Sequence, residues 1–362
     1  MAMATSRTGN PVPPEKGSLP EKLRGAYLSL LGMQKSKAVL NETAPEKPRG
    51  AYRAFLNVHK SKAVLVAVLL ALVVVTSIIS PVFLTPNNLL NILIQVSIVG
   101  ILACAGTMVM VSGGIDLSVG SSMSVTGTAM AVLMVAGVNI YLVMLIGIGI
   151  ATFVGLINGV LAAFAKTHPF ILTLGMLTLL QGAALLISSL PVVGLPREFT
   201  SMLSLRPLGI PLLVLGFVFV AITVGFILTW TPLGRRLFAI GGSETAASLA
   251  GIRVRRTKIG VYALNGMFVG VAAILLLMLF VSSQPRMGAG LELVAIAAIA
   301  VGGTPLAGGR GDVVGTVLGV VLLGMIGNAL TLMRVDTNIQ YVIQGIVIIV
   351  AVMAQRDWSR SR

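Results

Sequence analysis

The chain has 362 residues, of which 56% are hydrophobic and only 10% are charged, and its formal net charge is +15. The positive charge does not indicate a nucleic-acid-binding protein, because the basic residues are not interleaved with aromatic ones and most lie at the ends of apolar segments. The apolar residues recur in stretches of about 20, the length of a helix that spans a bilayer. The composition therefore predicts an all-α polytopic membrane protein that binds no nucleic acid.

The first 60 residues are polar and contain an internal duplication. Pro20–Tyr27 recurs almost unchanged as Pro45–Tyr52, and a second match follows at the same offset of 25. Lysine and proline occur throughout, and no apolar run could span a membrane before about residue 61. We predict a mobile, basic, cytoplasmic extension over residues 1–60 and a transmembrane domain over residues 61–358.

Ten apolar segments follow the extension, and two of them are short. They lie at about 63–84, 89–111, 117–136, 139–164, 168–189, 208–230, 259–283, 289–303, 312–333 and 338–355. If the N-terminus is cytoplasmic, 22 of the 26 Lys and Arg residues fall on the cytoplasmic side. The positive-inside rule therefore predicts that both termini are cytoplasmic.

The segments also show an internal repeat. Residues 89–189 align without gaps on residues 259–359 at an offset of 170, and the segment boundaries coincide. A unit of five segments is odd, so the second unit must be inverted relative to the first. In transporters with this arrangement, broken helices form the transport site at the interface of the repeats.

A glycine-rich, acid-bearing break separates the second segment from the third at Ser112–Gly120. A carboxylate near the bilayer centre costs about 3 kcal/mol, and broken backbone survives there only where it lines a cavity or is buried in protein. Asp116 therefore marks a translocation path or gate, and Asp116 or Ser118 also has the position to cap the helix that begins at Val119.

Residues further along the chain extend this predicted path. At the offset of 170, Gln284 aligns with Gly114 in the break. Glu292 opens the short eighth segment, where it either caps the helix or faces a substrate. Gly302 and Gly303 end that segment in a re-entrant turn, a gate hinge or an ordinary loop, and we favour the first two. The predicted translocation residues are Ser112, Gly113, Gly114, Asp116, Ser118, Gly120, Gln284, Glu292, Gly302 and Gly303.

Two further acids lie near arginines at the edges of apolar segments. Asp312 follows Arg310, and Asp336 follows Arg334, each at a distance of two residues. We predict that both are interfacial ion pairs.

The longest loop between segments, residues 231–258, is predicted to be cytoplasmic and to hold a short surface helix. It has an N-cap serine, an acid in the first turn, good helix formers and a terminating glycine. Arginines surround it, which favours a docking helix for a cytoplasmic partner over a simple connector. Its residues are Ser243, Glu244, Thr245, Ala246, Ala247, Ser248, Leu249, Ala250 and Gly251.

Motifs for catalysis and for metal binding are missing from the sequence. There is no phosphate-binding loop, and His59 and His168 are too few and too far apart for a metal site. We therefore expect no enzyme activity and no bound cofactor or metal in this chain, and an external source of energy.

Three stretches in order are similar to the ribose-type permease subunits of bacterial ATP-binding-cassette importers for simple sugars. They are Ser112–Ser121, Ile240–Val254 and Leu291–Gly311. The resemblance implies a permease domain in the bacterial inner membrane that works as a dimer with a second copy or a paralogue. It also implies a cytoplasmic ATPase that binds ATP and Mg, a periplasmic or lipoprotein sugar-binding protein, and a coupling helix at residues 243–251. Val294 stands where relatives often carry an acid, and the N-terminal extension is longer than the family requires.

Other functions remain open from the residues. An ion-coupled secondary transporter of a small polar solute would use Asp116 or Glu292 as its ion site, and a passive channel or scaffold would need neither ions nor ATP. Within the resemblance, the substrate is a pentose, a hexose, a polyol or the sugar-like signal autoinducer-2.

Overall fold

The computed structural model describes residues 49–165, 167–340, 342–346 and 349. The larger compact unit of the chain begins at residue 58. The predicted extension up to residue 48 lies outside the described residues. The helices, in chain order, are α1 (Arg49–Ile79), α2 (Pro86–Val111), α3 (Val119–Val135), α4 (Ile140–Phe164), α5 (Pro169–Ile187), α6 (Arg197–Ser201), α7 (Leu212–Trp230), α8 (Pro232–Gly242), α9 (Glu244–Leu249), α10 (Val254–Phe280), α11 (Leu291–Val301) and α12 (Val313–Leu332).

Seven of these helices are long and apolar enough to cross a membrane, namely α1, α2, α4, α5, α7, α10 and α12. The apolar helices α3 and α11 are shorter, with 17 and 11 residues. At 1.5 Å per residue α11 is about 16 Å long, against about 30 Å for the hydrocarbon core of a bilayer. The all-α polytopic class is confirmed. The predicted count of ten is not, because the last predicted segment, 338–355, lies partly outside the described residues.

The core of the larger unit lies around α2 and α10. In α2, 72% of the most apolar stretch of the helix is buried, and in α10 67% is. In α1 the buried share is 6%. α2 packs against α7, α10, α11 and α12, while α10 packs against α3 and α4 as well. The outer faces of α1, α4, α5 and α7 expose apolar side chains, as helices in contact with lipid do.

Glycines bring α4 and α10 into close backbone contact. A Cβ on Gly155 would overlap the carbonyl oxygen of Tyr262, and a Cβ on Gly159 would lie 2.8 Å from the Cα of Ile259. Small residues at such positions let two membrane helices approach closely. This crossing holds the polar residues of the neighbouring turns at short distances from the break between α2 and α3.

The two predicted ion pairs with arginine are wrong. Asp312 instead accepts a hydrogen bond from Lys62 Nζ at 2.9 Å, and the same oxygen accepts one from Gly315 N at 2.9 Å as the N-cap of α12. Asp336 accepts a hydrogen bond from Asn338 N at 2.8 Å. Each acid caps the start of the next helical segment. Its carboxylate is therefore held at that helix start and does not pair with the arginine two residues earlier in the chain.

One antiparallel bridge joins the loop after α5 to the segment after α10. Val192 N donates to Ser283 O at 2.8 Å, and Ser283 N donates to Val192 O at 2.9 Å. The Ser283 hydroxyl is fully buried and lies 3.1 Å from Thr128 Oγ1 of α3. The bridge therefore fixes the start of the chain segment that leads to α11.

Candidate functional site

The break after α2 begins as a tight turn. Gly113 has a φ of 79°, and Gly114 N donates to Val109 O at 3.0 Å, so the chain reverses at once. Ser112 Oγ donates to the same carbonyl oxygen at 2.7 Å, which adds a side-chain bond to this turn. The next residues then lead to the start of α3 without leaving the protein interior.

Asp116 lies at the centre of this break, where it is only 8% exposed. Its Oδ1 accepts hydrogen bonds from Ser118 N at 3.0 Å, Ser118 Oγ at 2.7 Å and Asn158 Nδ2 at 3.4 Å. Its Oδ2 accepts one from Asn265 Nδ2 at 3.0 Å. Asn158 belongs to α4 and Asn265 to α10, so the carboxylate joins the break to both helices of the glycine crossing.

The backbone of the break is held from one further helix, α5, and again from α10. The carbonyl oxygen of Ile115 accepts hydrogen bonds from Thr173 Oγ1 at 3.2 Å and from Tyr262 Oη at 3.3 Å. Asp116, one of the two residues predicted to cap α3, accepts a hydrogen bond from the backbone N of Ser118 just before the helix. The other, Ser118, makes no side-chain bond to the first turn of that helix. Its hydroxyl instead donates to Asp116 and accepts from Asn158 Nδ2 at 2.7 Å. The break is therefore fixed both by hydrogen bonds within its own turn and by tertiary contacts with α4, α5 and α10.

A second break precedes α11. After the bridge at Ser283, the chain turns along α3, and Gly288 N donates to Ser124 Oγ at 3.0 Å. Gly290 has a φ of 88° and is the N-cap of α11. Glu292 lies in the first turn of that helix and is 7% exposed. Its Oε1 accepts a hydrogen bond from Gly290 N at 3.1 Å, and its Oε2 has no hydrogen-bond partner among the described residues.

The N-terminal ends of the two short helices, α3 and α11, meet at Gly120. A Cβ on Gly120 would overlap both Glu292 Oε2 and the carbonyl oxygen of Gly288, so this contact requires glycine. A narrow cleft lies between α2, the first break and α11. It is lined by the two carboxylates together with apolar residues and glycine, namely Leu102, Gly106, Met110, Gly114, Ile115, Asp116, Val119, Glu292, Ala295, Ile296 and Ile299.

The remaining predicted translocation residues lie apart from this cleft. Gly302 lies at the opposite end of α11, where its Cα packs against the backbone of Gly315 in α12. Gly303 has a φ of 95° in the turn that follows. Further along the same loop, Gly309 N donates to Val111 O at 2.9 Å, so the loop after α11 contacts the end of α2. Gln284 is exposed, seven residues before the start of α11.

The predicted docking helix is present as α9. Ser243 Oγ accepts a hydrogen bond from Ala246 N at 3.2 Å, and Glu244 pairs with Lys258 Nζ at 2.6 Å. Ala247 is 4% exposed and packs with Ile240. Thr245, Ser248 and Ala250 are exposed, and Gly251 ends the turn with a φ of 82°. On this helix Leu249 is 85% exposed, a large apolar side chain with no cover from the described residues.

The partners of Asp116 were not predicted. They are the side chains of Ser118, Asn158 and Asn265, with Thr173 and Tyr262 on the neighbouring carbonyl group. The one signal in the sequence was the isolated amide of Asn158, which the offset of 170 aligns with Asn328. In the structure Asn328 forms a reciprocal amide pair with Asn88 of α2, with distances of 3.0 and 2.9 Å.

Comparison with known proteins gives a family for the chain. The model of the family described as branched-chain amino acid transport system, permease component, matches residues 88–352. The chain belongs to this family. It is a multi-pass permease component.

Curated relatives match over most of the chain. The ribose import permease protein of Bacillus subtilis is 40% identical over 80% of this chain and 91% of its own length. The D-allose transport system permease protein of Escherichia coli is 34% identical over 76% of this chain and 85% of its own length. An autoinducer 2 import system permease protein of E. coli is 34% identical over 80% of this chain and 90% of its own length. No solved structure matches the chain.

Proposed function

We propose that this chain is the translocation subunit of an ATP-driven importer that moves a monosaccharide across the bacterial inner membrane by alternating access. The substrate class rests on the relatives, whose names specify ribose, allose and autoinducer 2. The observation that carries the mechanism is the meeting of two broken segments at Gly120 and Glu292. Irregular backbone at membrane depth is tolerated where it is buried in protein or lines a cavity, and in transporters such breaks form the transport site.

The helix pairing supports two inverted five-segment repeats. At the offset of 170, α2 corresponds to α10, and α4 corresponds to α12. In the structure α4 packs against α10, and α12 packs against α2. In each repeat, the third aligned helix therefore packs against the first aligned helix of the other repeat. This reciprocal packing is expected for two units related by an axis in the membrane plane.

A second permease copy would cover an exposed polar face beside α5. Gln284, Arg286 and Gly290 are exposed, and Gly290 is not helical. The adjoining face of α5 exposes Gly175 and Gly182, with no neighbouring atom in reach of a Cβ on either. Broken backbone and an arginine do not face lipid. A second copy, or water held between two copies, supplies the surroundings that this face needs.

The energy source in this proposal is a separate cytoplasmic ATPase, which would bind ATP and Mg and dock on α9. The exposed Leu249 and the surrounding arginines support such an interface. A periplasmic or lipoprotein sugar-binding protein would deliver the solute on the other side. The positive-inside rule then places both termini in the cytoplasm.

The segment from Ser283 to Gly290 would close the path on the outer side. It runs from the bridge with Val192 to the contact with Gly120, and Gln181 Nε2 donates to Pro285 O at 2.9 Å along the way. Opening toward the binding protein would require this segment to move relative to α3.

Reconstitution tests the proposed function. The permease, its ATPase and its binding protein are placed in vesicles and offered ribose, xylose, arabinose, galactose, inositol and autoinducer 2. We expect that one of these ligands, loaded on the binding protein, stimulates ATP hydrolysis and drives uptake. Uptake without ATP that an ionophore abolishes would show an ion-coupled transporter, and uptake that needs neither would show a passive channel.

A further inference from the structure

Glu292 carries an oxygen atom that the folded chain does not use. Its Oε1 holds Gly290 N at 3.1 Å, but no donor among the described residues reaches Oε2. The side chain is 7% exposed and lies at the start of a helix too short to cross the bilayer. Six buried side-chain oxygens lack a partner among the described residues, and Glu292 Oε2 is the one that belongs to a carboxylate; each such oxygen calls for an explanation.

The other carboxylate of the cleft, that of Asp116, has hydrogen-bond donors at both of its oxygens. Asp116 receives four hydrogen bonds, from Ser118, Asn158 and Asn265. Glu292 receives one, and the residues that line the shared cleft include no basic side chain. Both oxygens of Asp116 thus accept hydrogen bonds from the protein, whereas Oε2 of Glu292 accepts none and lies where α3 and α11 meet.

Helix capping does not explain the free oxygen. Oε1 alone satisfies Gly290 N, so a neutral side chain of the same length would do the same. The carboxylate lies in the first turn of α11 and beside Gly120 in the first turn of α3, and helix N-termini interact favourably with acceptors that carry negative charge. The site therefore leaves one oxygen of a buried side chain unbound at the junction of the two short helices.

We propose that Glu292 Oε2 accepts a hydrogen bond from a hydroxyl group of the transported sugar at the level where α3 and α11 meet. This inference rests on the proposed function. A monosaccharide carries several hydroxyl groups, and these lose bound water when the sugar passes through a narrow path. They then need hydrogen-bond acceptors from the protein. The carboxylate lines the cleft together with Gly114, Asp116 and Val119, so a solute that entered between α2 and α11 would meet it.

The test compares the discrimination between a sugar and its deoxy analogues in two permease variants. Uptake of the parent sugar and of each monodeoxy analogue is measured in vesicles with the full complex and the same saturated binding protein, whose own preferences cancel between variants. In the wild type, removal of the contacting hydroxyl should lower uptake roughly tenfold, as expected for a hydrogen bond to a charged group. In Glu292→Met, which has no acceptor, that tenfold difference should vanish.

Controls separate this contact from folding. Glu292→Gln keeps the side-chain length and the bond to Gly290 N but removes the charge, so it should keep assembly with the ATPase and retain only part of the discrimination. Asp336→Asn removes an exposed carboxylate and should leave discrimination at the wild-type value. Equal discrimination in the wild type, Glu292→Gln and Glu292→Met would overturn the inference while leaving the importer function intact.

Two other outcomes would also be decisive. If wild-type vesicles take up no monosaccharide with ATP, the proposed function itself fails. If wild-type uptake differs between Na⁺ and K⁺ buffers and Glu292→Gln removes that difference, the ligand of Oε2 is a cation and the sugar contact is wrong.

Discussion

Asp116 shows how a single charged residue can be kept inside a membrane domain. Its cost is offset by donors that come from its own turn and from α4 and α10, 42 and 149 residues away in the sequence. The acid and its glycines predicted a site at this position because they interrupt an apolar run. Their partners could not be predicted, since one Asn in an apolar helix does not show which distant turn it will meet.

Replacing Asp116 by Asn should destabilise the break. An amide presents N–H groups at one of the two acceptor positions, so the hydrogen bond from Asn265 Nδ2 to a charged oxygen is lost and the Asn265 amide must turn over to accept instead. A lost hydrogen bond to a charged group costs about 2 kcal/mol. We expect a lower Tm for the purified permease and reduced uptake.

The reciprocal exchange supplies the control for this prediction. Asp116→Asn combined with Asn265→Asp restores a carboxylate and an amide in opposite positions and should recover part of the lost Tm. An Asp116→Asn protein with wild-type Tm and wild-type uptake would show that the four hydrogen bonds contribute nothing.

At the scale of elements, α9 and α11 differ in how far the sequence specifies them. α9 carries its own start and stop signals in Ser243 and Gly251, and the predicted helix is found there. The second break was predicted only as a counterpart of the first, with Gln284 as its polar residue. The structure places Glu292, not Gln284, against the first break, because the turns between Ser283 and Gly290 depend on contacts with α3 and α5.

Substitutions in α9 should separate docking from folding. Leu249 is 85% exposed, so Leu249→Asp should leave the Tm of the isolated permease unchanged and weaken binding of the ATPase by tenfold or more, roughly the effect of losing an interface hot spot. Ala247→Pro should instead lower the Tm, because it removes the bond from Ala247 N to Ser243 O and costs about 3 kcal/mol. Affinity for the ATPase measured with both variants checks this, and wild-type affinity in Leu249→Asp would remove α9 from the interface.

Locking the bridge between Val192 and Ser283 should arrest transport. Residues paired in this way have Cα atoms about 5.5 Å apart, within the range of a disulfide. Cys104 is the chain's one cysteine, so Val192→Cys and Ser283→Cys can be combined with Cys104→Ala. We expect that oxidation stops uptake and that a reductant restores it. The single variants under oxidation are the controls, and full uptake with the disulfide formed would show that the segment does not move.

For the whole molecule, the apolar periodicity was enough to predict the class and the order of the helices, because each membrane helix satisfies its own backbone. The assembly is a different matter. The polar face of Gln284, Arg286 and Gly290 becomes visible only after folding, when residues from separate segments lie side by side. A dimer in detergent that is lost on Gly182→Trp, at unchanged Tm, would support the second copy on this face.

Residues 1–48 of the predicted N-terminal extension lie outside the described residues, while residues 49–60 belong to α1. The role of the extension is a prediction from the sequence. The family match begins at residue 88, well after the duplicated stretch. Deleting residues 2–44 removes the first copy of the duplication and keeps Arg49, Arg53, Lys60 and Lys62, which are sufficient to hold the start of α1 on the cytoplasmic side. We therefore expect the truncated protein to insert, to bind its ATPase and to transport at a near-normal rate. The measurement is uptake at matched expression, with a second truncation that also removes residues 45–62 as the comparison; loss of ATPase binding in the shorter deletion would mean that the first copy of the duplication contacts a partner.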